Sequence, residues 1–162
     1  MVMEKKTVLI CTIVGIILVF DQATKWLVAS TLRVHESVTI IESFFQLTHA
    51  RNPGAAFSLF AQAPASFRQP FFFVTTLIAV GVLLVLLRRV EASQTLTLVA
   101  IAGILGGALG NFIDRLLYGE VIDFLLVHWQ QYYWPAFNVA DSCITVGVVL
   151  LLFASFREPN DA

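Results

Sequence analysis

The chain has 162 residues, of which 58% are hydrophobic and only 13% are charged. A soluble domain of this length could not bury so much apolar surface, so lipid is predicted to solvate much of the chain. The formal net charge of −1 gives no reason to expect a nucleic-acid partner. The two cysteines, Cys11 and Cys143, form neither a disulfide framework nor a metal-type spacing.

Four apolar stretches are long enough to cross a membrane, since a hydrocarbon core of about 30 Å needs roughly 20 helical residues. The first could be read as a cleaved signal peptide, because two lysines precede an apolar run. Asp21 and Lys25 interrupt that run, so an uncleaved helix is the preferred interpretation. The sequence has no internal repeat or linker, and 1–162 is predicted to be one integral membrane domain. The spans are predicted at about 7–29, 70–87, 96–113 and 141–156.

Positive charge clusters at one set of helix ends, which predicts the orientation in the membrane. Both termini and the short loop after the second span are therefore expected on the cytoplasmic side. Two longer segments, about 30–69 and 114–137, are then expected outside. The residues in these clusters are Lys5 and Lys6 before the first span, Arg88 and Arg89 after the second, and Arg157 after the fourth.

The first outer segment contains candidate strands and a turn. Residues Ser37 to Ala50, SVTIIESFFQLTHA, are rich in β-branched and aromatic residues and predict one or two strands. The stretch RNPGAAF at 51–57 then favours a tight turn, because Pro53 extends Asn52 and is followed by glycine. Asn52 is either part of a plain hairpin turn or an amide aimed at a ligand, and the turn alone favours the first reading.

The second outer segment ends in an aromatic band, VHWQQYYWPAF at 127–137. Such amphipathic rings settle at the headgroup level of a membrane. Asp123 and Asp141 bracket the band, so both are predicted to lie near the outer interface.

Polar residues also occur in or beside the predicted spans. Asp21 and Lys25 are four apart on one helix, which favours an ion pair, although a proton-relay carboxylate would look the same. Asn111, Asp114 and Arg115 share one helix face near the outer end of the third span. They are either a solvated helix end or a polar ligand site in which Asp114 pairs with Arg115 or another neighbour.

Glycines recur at a spacing of four in GILGGALGNFIDR, 103–115. Gly103 with Gly107, and Gly106 with Gly110, form the small-residue pattern that lets membrane helices approach closely. This pattern predicts packing and carries no chemistry.

Asp123 and Asp141 are the candidate catalytic pair. The neighbours of Asp123 in GEVIDFLLV are apolar, so desolvation should favour its neutral acid. Asp141, taken alone, is better explained as a cap for the helix that follows it. Two carboxyls within hydrogen-bond reach share a proton, and such a pair can activate water while polarising a peptide carbonyl. That chemistry is that of an aspartic protease, and no metal or cofactor is predicted.

Other hydrolytic sites are poorly supported. His35-Glu36 lacks the second histidine of a zinc HExxH motif, because position 39 is Thr39. The nucleophile motif G-x-S-x-G does not occur. His49 and His128 form no ligand-like cluster with His35.

Taken together, these motifs resemble lipoprotein signal peptidase, the bacterial type II signal peptidase family. They occur in the family's order and spacing over most of the chain, and no motif residue departs from the pattern. The matching motifs are D-Q-x-x-K at 21–25, RNPGAAF at 51–57, GNFIDR at 110–115, VIDF at 121–124 and FNVAD at 137–141.

The resemblance implies a mainly α membrane protein with four transmembrane helices, a small extracytoplasmic β-cradle and a short interfacial helix between the third and fourth spans. It implies that Asp123 and Asp141 are the catalytic dyad. Asp114 would brace Arg115 and the neighbouring helix. The other implied roles are positioning of the substrate or support of the dyad for Asn52, Asn111, Arg115 and Asn138, and a structural role for Asp21 and Lys25.

The resemblance also implies a substrate and a location. The family substrate is a prolipoprotein whose cysteine carries diacylglycerol, cleaved just before that cysteine in the bacterial cytoplasmic (inner) membrane. Burial of acyl chains, at roughly 0.8 kcal/mol per CH₂, would supply much of the affinity. Membrane lipids are the expected surroundings, and no obligate protein partner is inferred.

Two other function classes fit parts of the sequence. A small proton-coupled transporter could use Asp21 and Asp114 as relay groups, but there is no internal duplication, and the outer segment after the first span is longer than a connection requires. A scaffold without chemistry would explain the glycines and the aromatic band. It leaves Asp123 among apolar residues without a reason.

Overall fold

A computed structural model gives the architecture of residues 2–54 and 59–157. Positions 55–57 of the RNPGAAF motif lie outside these described residues. The elements in chain order are α1 (Val2–Thr31), β1 (Ser37–Ile41), β2 (Phe45–Asn52), α2 (Ala65–Arg89), α3 (Thr95–Tyr118), β3 (Val121–Trp129), β4 (Tyr132–Tyr133) and α4 (Val139–Arg157).

Four helices in the described residues are long and apolar enough to cross a membrane, as the sequence predicts. Most of these helices are longer than the predicted spans. The spans were predicted from apolar stretches, and a helix can continue into the more polar residues on either side. Thus α2 begins at Ala65 and contains Pro70, where the span was expected to start. Likewise, Lys5 and Lys6 lie inside α1.

Helix α3 lies at the centre of the bundle. In its most apolar window 56% of the residues are buried within the protein, against 17% or less in the other three helices. Its glycines face two different neighbours, which confirms the predicted close packing. Added Cβ atoms on Gly103 and Gly107 would meet the backbone of α4, whereas those on Gly106 and Gly110 would meet Ile17 and Asp21 of α1.

In the described part of the chain, four antiparallel strands form a sheet in the order β1-β2-β3-β4 beside the bundle. Strands β1 and β2 confirm the prediction for Ser37 to Ala50. The register of β2 on β3 pairs Ala50 with Asp123 and Asn52 with Val121. This register carries the Asn52 amide to Asp123.

The prediction of a short interfacial helix between the third and fourth spans is wrong. Residues 119–138 contain β3, β4 and the turns around them, with no helix. Val121, Ile122, Phe124 and Val127 fit a half-buried pleated surface, and β2 offers an edge for pairing. Strand pairing therefore prevails over a surface helix in this segment.

Candidate active site

Asp123 and Asp141 line one cleft of about 790 Å³ between the sheet and the adjoining ends of α3 and α4. Asp123 lies within β3 and is only 2% exposed. Asp141 lies in the first turn of α4. The fold thus brings together two acids that are well separated in sequence.

Two asparagines connect the acids. The Asn111 side-chain N–H donates to Asp141 Oδ1 over 2.7 Å, and that of Asn138 donates to Asp123 Oδ1 over 2.7 Å. Asn138 also donates to Asn111 Oδ1 over 3.2 Å. The result is a continuous hydrogen-bonded chain from one carboxylate to the other. It fixes both acids, because neither amide can rotate without breaking a bond.

Asn52 reaches Asp123 from the other side. Its Nδ2 donates to Asp123 Oδ2 over 3.0 Å, while its Oδ1 accepts the backbone N–H of Gly54 over 3.0 Å. The second bond closes a local turn of the kind asparagine favours. The two readings of Asn52, turn residue and ligand-facing amide, are therefore compatible.

The pKa of Asp123 is raised to about 7. Burial is the main cause, because desolvation disfavours the charged carboxylate, and the charge of Asp141 adds to the effect. Hydrogen bonds from Asn52 and Asn138 act in the opposite direction, as does the charge of Lys25. The apolar sequence around Asp123 predicted this direction.

Asp141 also takes part in a helix cap. Asn138 precedes α4, and its Oδ1 accepts the N–H of Asp141 over 2.9 Å, while Asp141 Oδ2 accepts the N–H of Asn138 over 3.3 Å. This reciprocal pair is a capping box, with asparagine at the N-cap. The other oxygen of Asp141 is the one bonded by Asn111. Asp141 Oδ2 therefore serves the helix cap, and Oδ1 belongs to the hydrogen-bonded chain in the cleft.

A buried charged cluster lies directly behind the cleft. Lys25 Nζ is 2.7 Å from Asp21 and 3.0 Å from Asp114, and it donates to Asn111 Oδ1 over 3.0 Å. Asp21 accepts the Ala140 N–H, and Asp114 accepts the Ile122 N–H. The cluster therefore joins α1 to α3, α4 and β3. It includes the i,i+4 pair predicted from the spacing.

Arg115 does not pair with Asp114, contrary to the expected brace, because the carboxylate of Asp114 points to Lys25. The Arg115 guanidinium instead donates to the carbonyl oxygens of Gly54, over 2.9 Å, and Asn111, over 3.3 Å. Asp114 still ties α3 to the neighbouring α1.

Three contacts around these residues were not predicted. Gln22 donates to Asp114 over 2.9 Å, Gly54 supplies a carbonyl to Arg115, and the Phe72 ring lies under the Arg115 guanidinium. Gln22 and Gly54 lie within the quoted motifs, so their position was a usable signal. Phe72 is one apolar residue among many in α2, and the sequence does not distinguish it.

The three histidines stay apart from the cleft lining. His35 is exposed, whereas His49 and His128 are buried in the sheet, where each bonds a backbone carbonyl. Within 2–54 and 59–157, no three His, Cys, Asp or Glu residues are grouped in a way that could hold a metal ion. Both cysteines are free.

Comparison with known proteins assigns the family. A family profile described as "Signal peptidase (SPase) II" matches residues 13–157. The chain belongs to this family. A lipoprotein signal peptidase of Syntrophus aciditrophicus is 46% identical over 98% of this chain and 99% of its own length. One of Geobacter sulfurreducens is 50% identical over 87% of both chains.

A solved structure extends the match to three dimensions. It is described as "Bacterial membrane enzyme structure by the in meso method at 1.9 A resolution". It superposes with a TM-score of 0.82 at 35% identity, covering 92% of this chain and 93% of the other. The signal peptidase II family and its multi-pass membrane fold are thus established for this chain. As a member of that family it is a peptidase, hence a hydrolase.

Proposed function

We propose that this chain is an intramembrane aspartic endopeptidase that releases the signal peptide of diacylglyceryl-modified prolipoproteins. It cleaves just before the lipidated cysteine, with Asp123 and Asp141 as the catalytic dyad. The observation that carries the proposal is the cleft in which these two acids are connected through Asn111 and Asn138. Membership of the signal peptidase II family supplies the reaction class.

The chemistry needs one neutral and one ionised carboxyl. The ionised member takes a proton from water as the water oxygen attacks the scissile carbonyl carbon. The neutral member protonates the carbonyl oxygen. When the C–N bond breaks, the carboxyl that took a proton from water gives it to the leaving nitrogen. The other carboxylate recovers its proton from the hydroxyl that becomes the new carbonyl, so the dyad is restored. A pKa of about 7 for Asp123 allows the pair to hold a single proton near neutral pH.

The neighbouring polar side chains hold the dyad and orient the peptide. Asn52, Asn111 and Asn138 donate to the carboxylates and fix their oxygens. The guanidinium of Arg115 faces the same cleft and would donate to peptide carbonyls.

The buried cluster behind them is structural. Lys25 neutralises part of the charge of Asp21 and Asp114, and the three side chains join α1 to α3, α4 and β3. On this view the charged pair of α1 is a brace and not a proton relay.

The lining of the cleft suits a lipidated peptide. On one side it is polar, and on the other it follows α4 through the apolar residues Ile144 and Val146, which lie in a helix long and apolar enough to cross a membrane. A diacylglyceryl group has its chains in lipid and its cysteine at the interface, so the scissile bond and the dyad would lie at the same depth. Lipid contacts follow from this arrangement, and no obligate protein partner is proposed.

We further propose that the whole chain is one domain with cytoplasmic termini and an extracytoplasmic active site. The exposed rings of Trp129, Tyr132, Tyr133 and Trp134 support an interfacial position for the sheet. At the opposite end, the Lys6 ammonium donates to the backbone carbonyls of Leu87 and Val90. That end carries the lysines and arginines expected on the cytoplasmic face.

Single-cysteine labelling tests this orientation. In a Cys11→Ala/Cys143→Ala background, cysteine replaces Glu42 in the β1–β2 turn or Glu91 in the α2–α3 turn. A membrane-impermeant maleimide should label the Glu42 site in intact cells and the Glu91 site only after lysis. The reverse pattern would invert the proposed topology.

Replacement of either acid tests the dyad. Asp123→Asn and Asp141→Asn should each abolish cleavage of a lipid-modified precursor in detergent or vesicles, because neither amide can exchange the proton. Glu42→Gln, the same change on an exposed turn, should cleave at the wild-type rate. Thermal unfolding of both variants tests whether they remain folded. Near-normal turnover by either folded dyad variant would end the proposal.

A further inference from the structure

The Arg115 guanidinium faces the cleft with little to fix its orientation from α3 itself. Its hydrogen bonds go to the carbonyl of Gly54, over 2.9 Å, and more weakly to that of Asn111, over 3.3 Å. Its buried Nε has no hydrogen-bond partner among the described residues. The same part of the chain offers Arg115 no carboxylate within ion-pair distance. A long, flexible side chain therefore needs another restraint to present its donors in one direction.

The Phe72 ring supplies such a restraint. The Arg115 Cζ atom lies 4.6 Å from the ring centroid, well within the range of a cation–π contact. Stacking on a ring fixes the plane of the guanidinium, which no point contact to a carbonyl can do.

Phe72 is itself held firmly. It is buried in α2, and its ring packs edge-on against Phe71 with centroids 5.3 Å apart. Phe71 in turn packs against Phe60 and Phe67, so the cluster joins the turn before α2 to the helix. The base beneath Arg115 is therefore rigid, and its position is set by the packing of α2.

We propose that Phe72 is a positioning residue for substrate binding. It holds the Arg115 guanidinium flat on its ring, so that the N–H groups not used by Gly54 point into the cleft and donate to a backbone carbonyl of the bound peptide. This inference rests on the proposed function, in which Arg115 binds the peptide. Phe72 touches neither the dyad nor the scissile bond in this arrangement.

The proposed role predicts an effect on KM with little effect on kcat. A contact made equally in the ground state and the transition state changes substrate affinity and leaves the chemical step alone. Loss of a partly desolvated cation–π contact should raise KM by about two- to thirty-fold.

Fluorinated phenylalanines at position 72 provide the sharpest test. Successive fluorination weakens the negative face of the ring while nearly preserving its shape and apolar packing. KM for a lipid-modified precursor should rise stepwise with fluorination at constant kcat. The same series at position 73, whose ring packs against Phe112 and not against Phe72 or Arg115, is the matched control and should leave KM unchanged.

Repeating the series in an Arg115→Ala background separates positioning from packing. If Phe72 acts through Arg115, fluorination of Phe72 has no further effect on KM in the Arg115→Ala background. The inference is overturned if KM does not respond to fluorination, if position 73 responds equally, or if the response persists without Arg115. Cleavage by Asp123→Asn reports on the dyad independently, so failure of the proposed function is distinguishable from failure of this inference.

Discussion

Asn138 and Asp141 bond each other in both directions across the first turn of α4. The Asp141 N–H donates to Asn138 Oδ1 over 2.9 Å, and the Asn138 N–H donates to Asp141 Oδ2 over 3.3 Å. The side-chain N–H of the same asparagine donates to Asp123 over 2.7 Å. The helix cap and the connection between the two acids therefore depend on one side chain, whose oxygen serves the first and whose nitrogen serves the second.

Asn138→Ser separates these two roles. Serine is a good N-cap and keeps an acceptor for the Asp141 N–H, but it cannot donate to Asp123 from the position of the amide. Because this hydrogen bond lowers the pKa of Asp123, its loss should raise that pKa beyond its present value of about 7. The limb of the pH–rate profile that reports on Asp123 should move to higher pH by about one unit.

The control for this variant is its thermal stability, which should stay near that of the wild type because the cap persists. Asn138→Ala removes both functions and should lower stability by about 1 kcal/mol as well. An unchanged pH–rate profile in Asn138→Ser would show that Asn138 does not tune the dyad.

The raised pKa of Asp123 also makes stability depend on pH. In the unfolded chain this group has its ordinary pKa of 3.8, so between about pH 4 and 7 the folded protein binds the extra proton. The free energy of unfolding should therefore fall as the pH rises through this window, since the stabilising contribution is complete below the unfolded pKa and lost above the folded one.

Asp123→Asn removes this titration. The melting temperature of the wild type relative to Asp123→Asn should decrease between pH 4 and pH 8 in the same detergent. Comparing the two proteins cancels the contributions of the carboxylates that do not interact with Asp123. Parallel melting curves across this range would contradict a raised pKa in the folded state.

Much of the architecture follows from single-sequence reasoning because the membrane imposes it. Apolar length predicts the four spans, and the glycine spacings predict where α3 is approached closely. The ends were less predictable, as at Ala65, because a helix can continue into polar sequence once started. The β3–β4 hairpin was missed although Val121, Ile122 and Val127 indicated strand, because the segment's pairing partner, β2, is far away in the chain.

The candidate site shows the same division. The apolar neighbours of Asp123 predict its raised pKa, and the spacing of Asp21 and Lys25 predicts their pair. The contacts of Asp114 with Lys25 and of Phe72 with Arg115 cross between helices. Helix periodicity gives the face of each residue on its own helix and carries no information about which helix that face meets.

Removal of the buried lysine tests how far the charged cluster supports the bundle. Lys25 is 1% exposed, so Lys25→Met leaves Asp21 and Asp114 buried without their cation. Breaking a buried pair in this way should lower stability by about 3–5 kcal/mol. Denaturation in a mixed-detergent titration measures the change.

Compensating substitutions provide the control. Lys25→Met/Asp21→Asn/Asp114→Asn removes all three charges and keeps acceptors for the Ala140 and Ile122 N–H groups, so it should recover much of the loss. Lys5→Met, an exposed lysine on the same helix, should change little. If the triple variant is no more stable than Lys25→Met, the lost stability does not come from unpaired charge.

The close approach of α3 and α4 links packing to the geometry of the dyad. A Cβ atom on Gly107 would collide with the carbonyl oxygen of Ala140 and lie 2.8 Å from Ile144 Cγ1. Gly107→Ala should therefore push α4 away from α3. One turn further along α3, Asn111 would then lose its 2.7 Å bond to Asp141.

Gly107→Ala should lower stability by about 1–3 kcal/mol, as overpacking commonly does. Cleavage should fall more than tenfold, because misplaced catalytic groups reduce the rate steeply. Gly15→Ala is the matched control, since a Cβ at Gly15 meets nothing within 4 Å. Melting temperature and turnover of the lipid-modified precursor measure both effects. Equal activity of Gly107→Ala and Gly15→Ala would contradict this prediction. It would mean that the contact between α3 and α4 at Gly107 does not set the position of Asp141.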